Sequence, residues 1–190
     1  MRNIILIAEE GDIIGEKKLI TQYLNGRLQN GQWQMIDGTI WDILVTGVGA
    51  LNILQTLRNL PKDTRLLNIG YAGSTNFDIG SAVEVTEARL NHPCVTYPEP
   101  TLMLQPISSH CLRHPENTQR AICYSNTDFV LHSEYHDCVF DMELAYIAGL
   151  GFKHLSALKI VSDNLNLHTY RQVATAKTTK HNPGIPPTVL

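Results

Sequence analysis

Short apolar runs rich in Ile, Val and Leu recur along the chain, at residues 4–7, 43–46, 66–69, 82–85 and 156–161. Runs of this length, bounded by polar or glycine-containing segments, predict buried strands. Between them the apolar positions take up helical spacing. Ile13, Ile14, Lys17, Ile20 and Leu24 form one such set, Leu51, Leu54 and Leu57 a second after Gly49, and Leu144, Ile147 and Ala148 a third after Met142. This alternation predicts a single α/β domain in which a mainly parallel, mixed sheet is flanked by helices.

Two stretches interrupt the alternation. Residues 91–106 contain Pro93, Pro98, Pro100 and Pro106, which remove backbone donors and disfavour helix, so a long surface excursion is expected there. Residues 181–190 contain Pro183, Gly184, Pro186 and Pro187, which predicts an extended or disordered tail following a domain that spans 1–180.

At 190 residues, with 43% hydrophobic and 17% charged positions, the chain is long enough for one buried core. A formal charge of -3 with both signs interspersed leaves no electrostatic footprint for nucleic acid or an anionic membrane, so a small-molecule partner is expected. No apolar stretch approaches the roughly 20 residues that span a bilayer. The opening apolar run meets Glu9 and Glu10 before it can form the core of a secretory signal, which makes the cytoplasm the expected compartment. Cys94, Cys111, Cys123 and Cys138 are far apart and read as free thiols. The segment from His132 to His136 is not H-E-x-x-H, and His110, Cys111 and His114 lack a partner pair, so neither a metal nor a cofactor is expected.

Glycines at strand ends carry the first chemical signal, because ligands in α/β sheets usually sit beyond the carboxyl ends of the strands. Thr46-Gly47-Val48-Gly49-Ala50 follows one strand and opens a helix, where backbone N–H groups and a Thr hydroxyl can face an anion, a water or a sugar oxygen. Asn68-Ile69-Gly70-Tyr71-Ala72-Gly73 ends the next strand. Neither matches the G-x-G-x-x-G dinucleotide fingerprint or the G-x-x-x-x-G-K-[ST] phosphate loop. The alternative for each is a tight strand-to-helix turn without a ligand.

These segments belong to an ordered series that resembles the purine nucleoside phosphorylase and methylthioadenosine/adenosylhomocysteine nucleosidase superfamily over nearly the whole chain. Residues 4–12 resemble its first strand and acidic turn, and Thr46-Gly47-Val48-Gly49 followed by Asn52 its Ser-Gly-Ile-Gly turn. Residues 68–73 resemble its Asn-Thr-Gly-x-Ala-Gly, and Ile79-Gly80-Ser81 stands where members have Val-Gly-Asp. Residues 125–130 resemble the segment that supplies an aromatic residue to the purine. Asp141-Met142-Glu143-Leu144-Ala145 is similar to the family's Met-Glu helix start, and Val161-Ser162-Asp163-Asn164 to its Ser-Asp motif. The chain is shorter than typical members, with the last helix reduced to 169–179.

The resemblance implies a purine nucleoside as partner, a homodimer or higher homo-oligomer, and cleavage of an N-glycosidic bond. Such cleavage builds negative charge on the departing base, so an acid must protonate it while water or phosphate attacks the sugar. By resemblance Asp163 is that acid, oriented by Ser162, and it requires a raised pKa. Glu143 accepts a ribose hydroxyl, Met142 packs beneath the sugar, and Phe129 with its neighbour Val130 meets the base. Thr46, Gly47, Ala72 and Gly73 complete the expected binding surface. Asp12 falls where nucleosidases carry the Glu that activates water, with Glu9 or Glu10 as substitutes if the turn is shifted. Each acid also has a structural reading: Asp163 as cap of the following turn, Glu143 as a first-turn carboxylate, and Asp12 as an N-cap.

Phosphorylases of the superfamily hold phosphate with arginines that this chain lacks; Asn68 occupies one of those positions. Phosphate prefers bidentate Arg partners, so water is the expected nucleophile. Phosphorolysis through Thr46, or nucleoside binding without turnover, are the alternatives.

Overall fold

Every apolar run singled out in the sequence falls on a strand; those at 4–7, 66–69 and 156–161 are buried on both faces, whereas the runs at 43–46 and 82–85 are partly open on one face. A computed structural model describes residues 1–9, 15–91 and 102–175. Asp12, Ile13, Ile14, Cys94, most of the proline-rich excursion and the tail from 181 lie outside the described residues.

The elements in chain order are β1 (Asn3–Ile7), α1 (Lys17–Tyr23), β2 (Gly26–Gln29), β3 (Gln32–Met35), β4 (Ile40–Val45) and α2 (Ala50–Leu57). There follow β5 (Arg65–Ser74), β6 (Ala82–Leu90), β7 (Leu102–Met103), β8 (Gln119–Ser125), β9 (Cys138–Asp141), α3 (Leu144–Gly149), β10 (His154–Asp163) and α4 (Leu167–Thr175). The strands form one mixed sheet in the order β10-β6-β8-β9-β5-β1-β4-β3-β2, with β7 on β6. A further pairing of β10 with β5 closes β10, β6, β8, β9 and β5 into a circuit, from which β1, β4, β3 and β2 extend. The pairings β1 with β4 and β5, and β10 with β5, are parallel.

Side-chain alternation divides the core between the two faces. Ile4 and Leu6 of β1, Leu66 and Ala72 of β5, and Ala157 and Val161 of β10 pack with Ile53 and Leu57 of α2 and Leu144 and Ile147 of α3. Ile5 and Ile7, Leu67 and Ile69, and Leu158 and Ile160 pack on the other face with Leu19 and Ile20 of α1 and Ala174 of α4.

The structure adds detail to two of the sequence readings. The α2 periodicity is helical, but Leu51 and Leu54 point outward and Ile53 with Leu57 forms the buried stripe. Spacing marks the helix; contact with the sheet selects the face. The excursion is not wholly irregular either, since β7 pairs with β6 and Leu104 N–H bonds the Thr86 carbonyl. Among the described residues, no helix is long and apolar enough to cross a membrane.

Candidate active site

Because β1, β5 and β10 run parallel, their carboxyl ends gather at one edge of the sheet, where ligands of α/β proteins usually sit. Asp163 ends β10 and is fully buried. Its Oδ2 accepts a hydrogen bond from Ser162 Oγ at 2.7 Å and its Oδ1 one from Asn166 N–H at 3.1 Å. Burial raises the Asp163 pKa above the ordinary carboxyl value, while the bonds from Ser162, Asn166 and Leu165 act in the opposite direction. The cap of α4 is Asn166, whose Oδ1 accepts from the N–H groups of His168 and Thr169, so Asp163 is not itself the helix cap. Gly73 on β5 lies against it: a Cβ there would stand 3.0 Å from Asp163 Oδ1. Ser162 Oγ also reaches the carbonyl of Ala72, tying β10 to β5.

Glu143 lies between β9 and α3, 8% exposed, and joins this edge to the turn after β4. Its Oε1 accepts from Gly49 N–H at 2.9 Å and its Oε2 from Met142 N–H at 3.3 Å. Burial first, and then the charge of Asp141, push its pKa up to about 7, against the opposing influence of Lys159 and Gly49. Three backbone donors of the strand-end turn are thus spent inside the protein. Thr46 N–H bonds the Ile7 carbonyl, Gly47 N–H the Ala8 carbonyl, and Gly49 N–H the Glu143 carboxylate. The Thr46 hydroxyl is likewise directed to the carbonyls of Ile7 and Gly47.

Sequence reasoning missed a buried charge cluster on the same side. Lys159, in the middle of β10, is 1% exposed and pairs with Asp141 Oδ2 at 2.7 Å. Burial disfavours its ammonium, but Asp141 and the other acids outweigh that and hold its pKa above the usual lysine range. Asp141 also accepts from the Ser125 hydroxyl and from Leu144 N–H, and Ser125 Oγ in turn accepts from Ala145 N–H. The start of α3 is therefore held by side chains of β8 and β9. Glu16, just before α1, bridges two strand ends: Oε2 takes Ala8 N–H after β1 and Oε1 takes Tyr71 N–H on β5. Burial raises its pKa, with Lys159 the main opposing charge. A Cβ on Gly70 would come within 2.6 Å of Glu16 Oε1, so only glycine leaves room for this carboxylate. The available signal was Lys159 itself, a charge inside an apolar strand that must find a partner. Glu16 carried no comparable mark.

A pocket opens between these elements, containing about 230 Å³ of empty space including its mouth. Gly73, Phe129, Val130, Met142 and Asp163 all line it, so residues far apart in sequence meet at one wall. Thr46, Gly47, Ala72, Glu143 and Ser162 do not line it. Asp12 is outside the described residues. Among the described residues, no group of three or more His, Cys, Asp or Glu side chains is arranged to hold a metal ion.

No family model and no curated protein matches the chain. Its fold does match solved 5′-methylthioadenosine/S-adenosylhomocysteine nucleosidases. The S. pneumoniae enzyme, solved with a transition-state inhibitor, is 16% identical with a TM-score of 0.67, over 92% of this chain and 92% of that one. The Colwellia psychrerythraea enzyme, solved in complex with adenine, is 17% identical with a TM-score of 0.66, over 93% and 89%. A Chlamydia trachomatis nucleosidase gives 16% and 0.66, over 92% and 90%. The chain therefore has the nucleosidase-type α/β fold along nearly its whole length.

Proposed function

We propose that the chain is a purine nucleosidase that hydrolyses the N-glycosidic bond of an adenosine-type nucleoside to free base and sugar. The observation that carries this reading is the meeting of Gly73, Phe129, Met142 and the buried acid Asp163 at one pocket. Asp163 is the general acid. Burial favours its protonated form, and the Ser162 hydroxyl fixes the orientation in which it meets the base nitrogen. Glu143 accepts a ribose hydroxyl through lone pairs left free by Gly49 and Met142, a bond that strengthens as positive charge grows on the sugar. Phe129 stacks on the base and Met142 supports the sugar. Asp12 is the proposed water-activating carboxylate.

Water rather than phosphate is favoured because the Thr46 turn has no unspent donors at Thr46, Gly47 or Gly49 for an anion. A homo-oligomer belongs to the same reading, and the exposed Leu51 and Leu54 offer an apolar face for it. Incubation of the protein with adenosine and 5′-methylthioadenosine, with and without phosphate, tests the reaction. Free base formed at equal rates under both conditions is expected; base formed only with phosphate overturns hydrolysis. Asp163→Asn should abolish base release while sparing most of the nucleoside affinity, because only the proton donor is lost. Unchanged turnover removes Asp163 from the chemistry.

A further inference from the structure

Tyr135 does not line the pocket, yet it is joined to the pocket lining by the chain on one side and by stacked rings on the other. Residues 126–137 connect β8 to β9 and carry Asp128, Phe129 and Val130 into that lining. Among the described residues, no hydrogen bond joins 127–134 to anything beyond this connection. The bonds within it run from Thr127 Oγ1 to Asp128 and from Tyr135 N–H to Ser133 Oγ. Phe129 meets the Tyr170 ring at 5.7 Å, a contact without direction. Where Phe129 stands is therefore set by how the connection is held at its ends.

At its start, Asn126 N–H bonds the Asp141 carbonyl at 2.9 Å. Its close is fastened to the residues that follow β5. Thr75 Oγ1 donates to the Tyr135 carbonyl at 3.0 Å, and Asp137 N–H donates to Asn76 Oδ1 at 3.1 Å while Asn76 Nδ2 donates back to Asp137 Oδ1. Asp137 is kept at a φ of 53°, which a residue other than glycine holds only where its surroundings over-determine it. The Tyr135 ring lies flat on Tyr124, with centroids 4.6 Å apart and planes within 3°. Tyr124 of β8 and Phe140 of β9 are register partners on parallel strands, so their side chains leave the same face, with rings 6.0 Å apart. Phe140 lines the pocket, and Arg89 Nη1 steadies the middle ring through a bond to the Tyr124 hydroxyl at 3.3 Å. Tyr135 itself is 48% exposed and belongs to neither core cluster, so the stack fixes the connection rather than filling the interior.

We propose that Tyr135 is a positioning residue for base recognition: its stack on Tyr124 holds residues 127–134 so that Phe129 and Val130 meet the purine. This rests on the nucleoside reading above and extends it to a residue that touches neither the substrate nor the acids. Asp163 is held by Ser162 and Asn166, and Glu143 by Gly49 and Met142, through bonds that do not pass along the connection. Loss of the stack should therefore weaken binding of the base and leave proton donation intact.

The test compares Tyr135→Ala and Tyr135→Phe with the wild-type chain, by isothermal titration with adenine and by turnover of 5′-methylthioadenosine. From the worth of an aromatic stack, Tyr135→Ala should bind adenine about three- to tenfold more weakly and raise KM, with kcat within about twofold of wild type. Tyr135→Phe keeps the ring and should return adenine affinity and KM to within about twofold of wild type. An alanine variant that binds adenine as wild type does, a fall in kcat at unchanged KM, or a phenylalanine variant as impaired as the alanine one overturns the positioning role. A wild-type chain that neither binds adenine nor releases it from 5′-methylthioadenosine overturns the nucleoside reading itself, whatever the variants do.

Discussion

Replacing Lys159 with Met removes the ammonium while keeping most of the stem, so the change isolates charge from packing. Lys159 is 1% exposed and stands 2.7 Å from Asp141. Removing one member of a buried pair strands the other, at a cost of about 3–5 kcal/mol. At roughly 2–4 °C per kcal/mol for a chain of this size, the expected loss in Tm is about 6–20 °C. The pH dependence has a definite sign. Lys159 is the main charge opposing the raised pKa of Glu16 and a leading one for Glu143. Without it both acids protonate more readily in the folded state than in the unfolded one. Stability from such raised groups is present at low pH and is lost as pH rises through the folded value. The deficit of Lys159→Met should therefore be largest at pH 8 and shrink toward pH 5. Urea denaturation across that range measures it. Adding Asp141→Asn to the variant should recover stability, with a coupling of about 0.5–3 kcal/mol. A Tm within a degree or two of wild type, or a deficit independent of pH, would refute the reasoning.

Glu143→Gln stays neutral, so relative to wild type it should gain stability between pH 5 and pH 8. The wild-type carboxyl, at about 7, ionises in that interval at a cost of up to about 3 kcal/mol. Chemical denaturation at the two pH values should show the divergence, and parallel curves would count against it; nucleoside turnover should fall in the same variant. Gly70→Ala places a Cβ 2.6 Å from Glu16 Oε1 and should cost about 2–3 kcal/mol as the carboxylate leaves Tyr71 N–H. Pairing it with Glu16→Ala should leave the alanine at position 70 with little further effect in a thermal melt.

The strands visible in the sequence are the ones it had to advertise. β1, β5 and β10 are buried on both faces, which demands a continuous apolar run. β8 escaped notice because only alternate residues, Ala121, Cys123 and Ser125, are buried, and the last of these is polar. The β2–β3 hairpin escaped although Asn30-Gly31 marks its two-residue turn, with Asn30 at a φ of 51°. Its strands are short and half exposed, so no apolar run accompanies the turn.

By itself the sequence determined the α/β alternation and, through ordered motifs, residues that meet at one pocket: Gly73, Phe129, Val130, Met142 and Asp163. Only the tertiary structure decided what surrounds them. The circuit through β10 and β5, the face by which α2 is buried, and the enclosure of Lys159 with Asp141, Glu143 and Glu16 all depend on contacts between distant elements. Periodicity reports the environment along one element, whereas the partner of a buried charge is set by which strand ends the fold brings together.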